Sequence, residues 1–557
     1  MEDSKFDVII LGTGLTESIV AAALSKWSFR VAHIDQNPYY GGEEASLNLE
    51  EFAKWIDGIS TVSGKFSNGT RSVTVPPYAR QYSICLCPTI NPALGPFIDA
   101  LIQSGVSKYS GFRLLERVAV YDGKGSFRAV PGSKEDVFKN KDISLIQKRR
   151  LMRFLTFAAG DFEESNELQG KHDLPFIQFL ESVFSLSHEL ATVIAYALAY
   201  SSRPTDPTIS VLPRIQRYLR SVGRYGASPF LVGHYGGVGE ISQGFCRTAA
   251  VSGAVYILGR QISTISTNIH PESDVTPAQT TSTDPSQRPY RYSVTLEDIP
   301  EPLCAHVVVG PPNCIPERMR RHRQDSPIAH SYKASYTPTC VVRCVAIVEH
   351  PIVPHAFSPQ NDEPSDYDDH DDDTDADARD SQPEGAAGAA DKVLDTEVLV
   401  FPPGTLDGGS ADASAVVLVT GEGTLSAPKG KYIVYIGLPV ISNNPPDATQ
   451  MLQPYLDAIL RLGKDEAQVP LFTSFHTENL NTHLPPAKDP SEKGTWIIPP
   501  PVPLGPLGDV ADAATRNAET LFHTVIDALD NSEERYQKED SHNGGIWPRI
   551  AVTEDED

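Results

Sequence analysis

The sequence FDVIILGTGLTE occupies residues 6–17, and a second short apolar segment lies at residues 30–35. Residues 6–11 are mostly apolar and end at a glycine, and residues 16–27 have the apolar spacing of an amphipathic helix. A strand, a glycine-rich turn, a helix and a second strand form a βαβ unit with parallel strands. The sequence therefore predicts an α/β fold with a FAD/NAD(P)-binding-like (Rossmann-type) domain and further β-sheets.

The glycine turn nearly satisfies the Rossmann phosphate-binding pattern. Gly12 permits the tight turn, Gly14 lets the backbone approach a diphosphate, and Asp35 lies where an acid would meet a ribose hydroxyl. Glu17, however, stands where the pattern needs a small residue, and its carboxylate would repel a diphosphate. We interpret these four residues as a degenerate nucleotide motif and predict no cofactor. A flavin-dependent oxidoreductase is the alternative.

The spacing of apolar residues changes in the middle of the chain. From residue 133 to about residue 223 they recur three and four positions apart, which is typical of four consecutive helices. Strand signals dominate on both sides. We therefore predict a discontinuous dinucleotide-binding-like α/β domain at residues 1–132 and 224–557, with an all-α domain inserted at residues 133–223.

A hairpin is predicted ahead of the helical segment. Residues 112–121 and 126–130 have strand composition, and Asp122-Gly123-Lys124-Gly125 between them is a turn signal. We expect the two segments to pair in antiparallel fashion.

The net charge of -25 argues against a nucleic-acid partner, because a polyanion would be repelled. Much of this charge lies in an Asp-rich segment at residues 358–392. That segment and the polar residues 276–288 contain too little apolar surface to fold, so both are predicted to be disordered insertions.

Neither metal binding nor catalysis is indicated. The seven cysteines are scattered without Cys-x-x-Cys spacing, and the histidines do not accompany a recognisable nucleophile. No apolar run approaches the length of a membrane span, and the first residues do not resemble a secretory signal. The sequence therefore predicts a non-enzymatic protein of the cytoplasm that has no metal site.

Three separated blocks resemble a known family. Residues 7–17 and 33–42 form the first block, residues 147–157 a basic helix, and residues 224–247 the last block, which contains YGGVGEISQGFCR. Together they closely resemble the signature regions of Rab GDP-dissociation inhibitors and Rab escort proteins.

The resemblance implies a surface that binds GDP-bound Rab GTPases. In that family the first and last blocks form a platform that grips the switch regions of the Rab. Carried over to this chain, the platform would consist of Tyr40, Glu240, Gln243, Arg247 and Ile257. Tyr and Arg are frequent interface anchors. The alternative is an internal ion pair between Glu240 and Arg247 with a core tyrosine.

The resemblance also implies that the helical domain shelters the geranylgeranyl group of the Rab. Phe179, Val183 and Ile194 are the candidate lipid contacts, and the alternative is that each is an ordinary core residue. Burial of each methylene is worth about 0.8 kcal/mol, so an apolar groove can hold such a lipid away from a membrane.

Within the family, residues 151–157, Cys246 and the long insertions favour the escort branch. An escort protein presents Rabs to the type II geranylgeranyl transferase α/β heterodimer and touches membranes transiently. Arg153, Phe154 and Phe157 are the candidate docking residues for the transferase, although both phenylalanines could instead be core. The alternative branch is a Rab GDP-dissociation inhibitor that acts only in recycling.

Overall fold

The computed structural model describes most of the chain in segments. They are residues 4–59, 65–130, 143–267, 290–310, 339–352, 394–442, 447–462, 468–479, 496–497, 499, 507, 509–529, 535–537 and 540–549. The predicted insertions at residues 276–288 and 358–392 lie outside the described residues.

The described residues form twenty strands. In chain order they are β1 Lys5–Leu11, β2 Val31–Asp35, β3 Ser46–Leu47, β4 Phe66–Arg71, β5 Ile84–Cys85, β6 Asn91–Pro92, β7 Phe112–Leu114, β8 Arg117–Tyr121, β9 Phe127–Ala129, β10 Phe230–Gly233, β11 Val255–Leu258, β12 Ile262–Thr267, β13 Tyr292–Leu296, β14 Ile299–Val309, β15 Cys340–Val348, β16 Thr396–Phe401, β17 Ala415–Thr420, β18 Tyr432–Val440, β19 Phe472–Asn479 and β20 Trp496–Ile497.

The described α-helices are labelled in the same way. They are α1 Leu15–Lys26, α2 Leu49–Gly58, α3 Pro96–Ser104, α4 Leu145–Ala159, α5 Phe176–Phe184, α6 His188–Val193, α7 Thr208–Ser221, α8 Val238–Val251, α9 Ala448–Leu460 and α10 Val510–Ala528. A π-helical turn at Ile194–Leu198 continues α6.

The first sheet contains the predicted βαβ unit. Its seven strands follow the order β11-β2-β1-β14-β13-β12, and β20 pairs with β14. β1 is parallel to both β2 and β14. Because side chains alternate along a strand, Val8 and Ile10 pack on the face covered by α1, α8 and α10, whereas Ile9 and Leu11 pack on the opposite face. The predicted fold class is confirmed.

The second large sheet has eight strands in the order β4-β19-β15-β18-β17-β16-β8-β9. One of its faces packs against α9, as in the contact of Phe401 with Tyr455. The other face belongs to the same apolar cluster as the buried side chains of α4 to α7. The helices therefore share a core with this sheet and do not bury their apolar faces only among themselves.

Ion pairs also connect the helical segment to helix α10 and the residue that precedes it. Arg214 and Arg217 of α7 pair with Asp509, and Arg217 pairs with Asp512 at 2.8 Å. Asp512 in turn accepts a hydrogen bond from the Phe97 N–H at the start of α3. These contacts join three helices that are far apart in the sequence. The domain boundaries remain predictions.

The hairpin prediction is correct only in part. β8 and β9 pair in antiparallel fashion, and the Asp122 carboxylate stabilises the turn by accepting from Lys124 and Ser126. Residues 112–121, however, are two strands rather than one. β7 pairs with β10 in a small three-stranded sheet, while β8 pairs with β16 of the large sheet. Alternation of apolar residues cannot reveal such a change of sheet.

Candidate functional site

The N-terminus of α1 already holds a carboxylate of the protein itself. The Leu15 N–H donates to Glu44 Oε2 at 2.8 Å. A Cβ atom on Gly14 would lie 2.7 Å from Glu17 Oε2 and 3.1 Å from Glu44 Oε2. Two carboxyl groups therefore stand where a Rossmann fold would bind a diphosphate. Burial, and then the charge of Glu44, raises the pKa of Glu17 to about 8, and burial likewise raises the pKa of Glu44.

Asp35 is fully engaged within the protein. Its Oδ2 accepts from the Thr13 N–H at 2.9 Å and from the Thr13 hydroxyl at 2.5 Å, and its Oδ1 accepts from the Asn37 N–H at 2.8 Å. The Gly41 N–H donates to the Thr13 carbonyl, and a Cβ atom on Gly42 would lie 3.6 Å from the Gly14 nitrogen. The Gly41-Gly42 loop thus covers the glycine turn. These contacts do not fit a dinucleotide.

We expect the protein to lose stability as the pH rises through the pKa of Glu17. Because that pKa is raised to about 8 in the folded state, the stabilisation from its proton is complete below the ordinary value of 4.5 and is lost toward pH 8. Glu17→Gln keeps a neutral side chain. At pH 9 it should raise the free energy of unfolding by about 1–2 kcal/mol, a value discounted because Glu17 is partly exposed.

Urea unfolding at pH 5 and pH 9 measures this effect. The matched control is Glu519→Gln on α10. The Glu519 side chain is exposed, so this substitution should change the free energy of unfolding only slightly, and by the same amount at both pH values. If Glu17→Gln stabilised the protein equally at both pH values, its effect would not come from ionisation.

A polar cluster, buried except for the exposed Glu43, connects the covering loop to the eight-stranded sheet. We call it the inter-sheet cluster, and its members are Glu43, Lys65, Cys87, Arg343 and Glu478. Lys65 Nζ lies 3.2 Å from Glu43 and 3.8 Å from Glu478, and Arg343 Nε donates to Glu478 Oε2 at 2.6 Å. The Cys87 thiol lies 3.5 Å from Glu478 Oε1. Lys65, which lies beside Glu478 of the eight-stranded sheet, therefore pairs with Glu43 of the covering loop and helps to hold that loop in place.

Electrostatics within the inter-sheet cluster favour the ionised carboxylate. Burial alone would raise the pKa of Glu478, but Arg343 and Lys65 outweigh it and hold this pKa below its usual value. The neighbouring His476 is buried, and neither of its ring nitrogens has a hydrogen-bond partner among the described residues. Burial, and then the charge of Arg343, lowers the pKa of His476 to about 3, so the imidazole is neutral.

The two blocks that suggested the Rab platform are brought together by glycines. A Cβ atom on Gly41 would lie 3.1 Å from the Gly239 Cα, and a Cβ atom on Gly239 would lie 2.8 Å from the Ala45 carbonyl carbon. The loop that follows β2 therefore packs directly on the first turn of α8, with no room for side chains between them. Tyr40, in that loop, packs edge-on against Tyr256, with ring centroids 5.9 Å apart.

Three of the predicted platform residues lie on α8. Gln243 and Arg247 are exposed and Glu240 is half-buried, which raises the pKa of Glu240. The Arg247 guanidinium lies over the ring of Tyr109, 4.7 Å from its centroid. Within the described residues no ion pair joins Glu240 to Arg247, so the alternative of an internal bridge does not describe this surface.

Ile257 is not brought together with the other platform residues. It lies on the edge strand β11 and packs on the face of the sheet opposite α8. Tyr256, the preceding residue, instead packs on the α8 side, and its hydroxyl lies 3.1 Å from His33 Nδ1. Tyr256 is not among the predicted platform residues, although alternation of side chains along the strand places it on the face opposite Ile257.

The candidate docking residues on α4 lie on different sides of the helix. The Arg153 side chain is 60% exposed and stacks on Phe184 at 5.3 Å. Phe154 is 0% exposed and contacts Phe176 and Phe184. The prediction that Phe154 contacts the transferase is therefore wrong, because its ring is core in this structure. Phe157 is partly buried against Phe179 and Phe184.

The candidate lipid contacts are mostly buried as well. Phe179 and Ile194 belong to the core shared by the helices and the eight-stranded sheet, whereas Val183 is partly exposed at its edge. A lipid could reach the two buried residues only after the helices move apart.

The described residues contain neither a cluster of metal ligands nor a membrane-spanning helix. No three His, Cys, Asp or Glu side chains in these segments converge as metal ligands. Among the same segments, no helix has both the length and the apolar character needed to cross a bilayer.

The chain has the scaffold of a dinucleotide-binding protein. The position of the diphosphate at the glycine turn, however, is occupied by the side chains of Glu17 and Glu44. These two features together define the class of protein. The family model for GDP dissociation inhibitor matches residues 1–294 of the 557. The chain belongs to the GDP dissociation inhibitor family, which confirms the resemblance predicted from the sequence.

Curated relatives are similar to the chain over a shorter region. It is 35% identical over 266 residues to the "Rab proteins geranylgeranyltransferase component A" of Candida albicans, covering 46% of this chain and 41% of that protein. It is 32% identical over 284 residues to the protein of the same name from Drosophila melanogaster, covering 47% of this chain and 54% of that protein. The alignments thus span about half the length of these relatives.

Solved structures share the fold. A Rab GDI from Plasmodium falciparum superposes with a TM-score of 0.58 and 18% identity, over 94% of this chain and 98% of that one. An oxidoreductase from Methanosarcina mazei superposes with a TM-score of 0.52 and 13% identity, over 93% of this chain and all of that one (100%).

Proposed function

We propose that this protein is a Rab escort protein. It binds GDP-bound Rab GTPases, presents them to type II geranylgeranyl transferase as a non-catalytic accessory subunit, and carries the prenylated Rab to membranes from the cytoplasm. Membership of the GDP dissociation inhibitor family and the names of the curated relatives support this proposal. The contacts that fill the nucleotide turn disfavour the flavin-dependent alternative.

The observation that carries the proposal is the convergence of the two signature blocks on one surface. Tyr40 and α8 are held together through Gly41 and Gly239, and α8 presents the exposed side chains of Gln243 and Arg247. A Tyr and an Arg on a rigid support are effective anchors, because little conformational entropy is lost when a partner binds. Glu240, half-buried beside them, can accept hydrogen bonds from the switch regions. Ile257 would contribute only at the edge of the sheet.

The helical segment supplies the lipid and transferase functions in this proposal. Phe179 and Ile194 lie in the apolar core of the helices and Val183 lies at its partly exposed edge, and separation of the helices would expose these residues to a geranylgeranyl chain. Arg153 is the exposed candidate for transferase docking, and the partly buried edge of Phe157 lies on the same helix. Arg is a common anchor at protein interfaces because it combines charge with a flat apolar face.

Arg247→Ala is expected to weaken the affinity for GDP-bound Rab by about 10- to 30-fold, which corresponds to the loss of one interface anchor. The affinity is measured with a panel of recombinant Rab GTPases loaded with a fluorescent GDP analogue. Arg461→Ala, at an exposed position after α9, is the matched control and should bind like the wild type. Equal affinities for the Arg247 variant and the wild type would remove the platform from the proposal.

A reconstituted prenylation reaction tests the escort role itself. It contains purified Rab, the transferase heterodimer and geranylgeranyl diphosphate, and lipid transfer to the Rab is followed with and without this protein. We expect transfer to depend on the protein and to fall with Arg247→Ala at limiting concentrations. Transfer that proceeds equally well without the protein, together with extraction of prenylated Rab from membranes, would instead favour a GDP-dissociation inhibitor.

A further inference from the structure

The platform includes an aromatic residue from outside the two signature blocks. Tyr109 follows a short turn after α3, is 51% exposed, and its ring lies under the Arg247 guanidinium at 4.7 Å. Among the described residues no carboxylate pairs with Arg247, so this ring contact fixes the direction of its side chain. A ring face attracts the cation but leaves the N–H groups at the edge of the guanidinium free to donate.

The position of Tyr109 is built into the fold. The Tyr109 N–H donates to the Val106 carbonyl at 2.9 Å, and the Ser110 N–H donates to the same carbonyl at 3.1 Å, which closes a tight turn. The Val106 side chain is fully buried beneath α8. A Cβ atom on Gly244 would lie 2.9 Å from Val106 Cγ1, so the absence of a side chain there lets the turn approach the helix. Gly244 lies three positions before Arg247, on the same side of α8.

We propose that Tyr109 is a positioning residue for the Rab platform, and this inference rests on the proposed function. The ring holds the Arg247 guanidinium in the orientation in which it meets an acidic group of the Rab. An exposed Arg without such a support would lose much of its side-chain freedom on binding, and this loss weakens the complex. The platform therefore comprises three chain segments: the loop after β2, the helix α8 and the turn at Tyr109.

Two apolar substitutions separate the contribution of the aromatic face from that of the hydroxyl group. Tyr109→Phe keeps an aromatic face and should bind GDP-bound Rab within about 2-fold of the wild type, whereas Tyr109→Leu removes the aromatic face and should bind about 3- to 5-fold more weakly. Each substitution is also made in the Arg247→Ala background, and thermal unfolding of every variant confirms that it is folded. Because Tyr109 is acting through Arg247, Tyr109→Leu should then change the affinity by less than about 2-fold.

The outcomes distinguish this inference from the proposed function. If the wild type binds no member of the Rab panel, both are wrong. If Arg247→Ala weakens binding but Tyr109→Leu weakens it equally in both backgrounds, the Rab platform stands and the positioning role of Tyr109 is overturned. A loss with Tyr109→Phe as large as that with Tyr109→Leu would also overturn it, since the hydroxyl rather than the ring would then be responsible.

Discussion

Replacement of Arg343 by Met is expected to lower the free energy of unfolding by about 3–5 kcal/mol, the usual cost of leaving one member of a buried ion pair without its partner. Glu478 is only 2% exposed, and Arg343 reaches its Oε2 through two nitrogens, at 2.5 and 2.6 Å. Lys65, at 3.8 Å from the other oxygen, is too distant to replace both contacts. Urea unfolding at pH 7 measures the change.

Two further variants identify the cause of this loss. Arg343→Met combined with Glu478→Gln should recover part of the stability, because the uncompensated charge is gone. Arg220→Met, on the exposed face of α7, should change the free energy of unfolding by less than about 0.5 kcal/mol. A small effect of Arg343→Met alone would show that the carboxylate of Glu478 reaches solvent or takes up a proton.

The same ion pair sets a dependence on acid. The pKa of Glu478 is held below its ordinary value of 4.5, so its stabilising contribution is present above that value and is lost as the pH falls through the folded-state pKa. This direction is opposite to that of Glu17. The wild type should therefore lose a stabilising contribution in acid through Glu478 and another in base through Glu17, and the Arg343→Met variant should show a weaker acid dependence than the wild type.

Phe154→Ala is expected to lower the free energy of unfolding by about 3–5 kcal/mol, as for other fully buried aromatic side chains. The ring is packed between Phe176 and Phe184, with centroids at 6.1 and 5.3 Å, so its loss leaves a cavity at the centre of the helical segment. Thermal and urea unfolding measure this effect. A change below about 1 kcal/mol would show that Phe154 is not core.

Arg153→Ala provides the contrast on the same helix. Its side chain is 60% exposed, and its ion pair with Glu167 at 3.6 Å is a surface contact, so the free energy of unfolding should change by less than about 1 kcal/mol. If Arg153 docks the transferase as proposed, this variant should nevertheless weaken binding of the Rab complex to the transferase. Phe154→Leu, which retains most of the apolar volume, should leave that binding unchanged.

The inter-sheet cluster also contacts the loop of the proposed platform. Glu43 lies in the loop that carries Tyr40, and Lys65 connects it to Glu478 on the eight-stranded sheet. The same loop contributes Glu44, which fills the helix N-terminus in place of a diphosphate. The residues that exclude a dinucleotide therefore also help to fix the proposed Rab-binding surface.

Local patterns in the sequence determined the βαβ unit and the departure from the glycine motif at Glu17. These features depend on residues close together in the chain, where the period of a strand or a helix fixes which side chains share a face. The signature blocks also determined the family.

Only the tertiary structure decided which distant residues these side chains contact. The Leu15 N–H donates to Glu44, and the Arg247 guanidinium lies over the ring of Tyr109. Phe154 lies in the core, and Ile257 packs on the face of the sheet opposite α8. Apolar periodicity shows that one side of a helix or strand is buried, but it does not show which distant segment covers that side. Contacts between remote segments depend on how all the sheets and helices pack together, and no local pattern in the sequence predicts this packing.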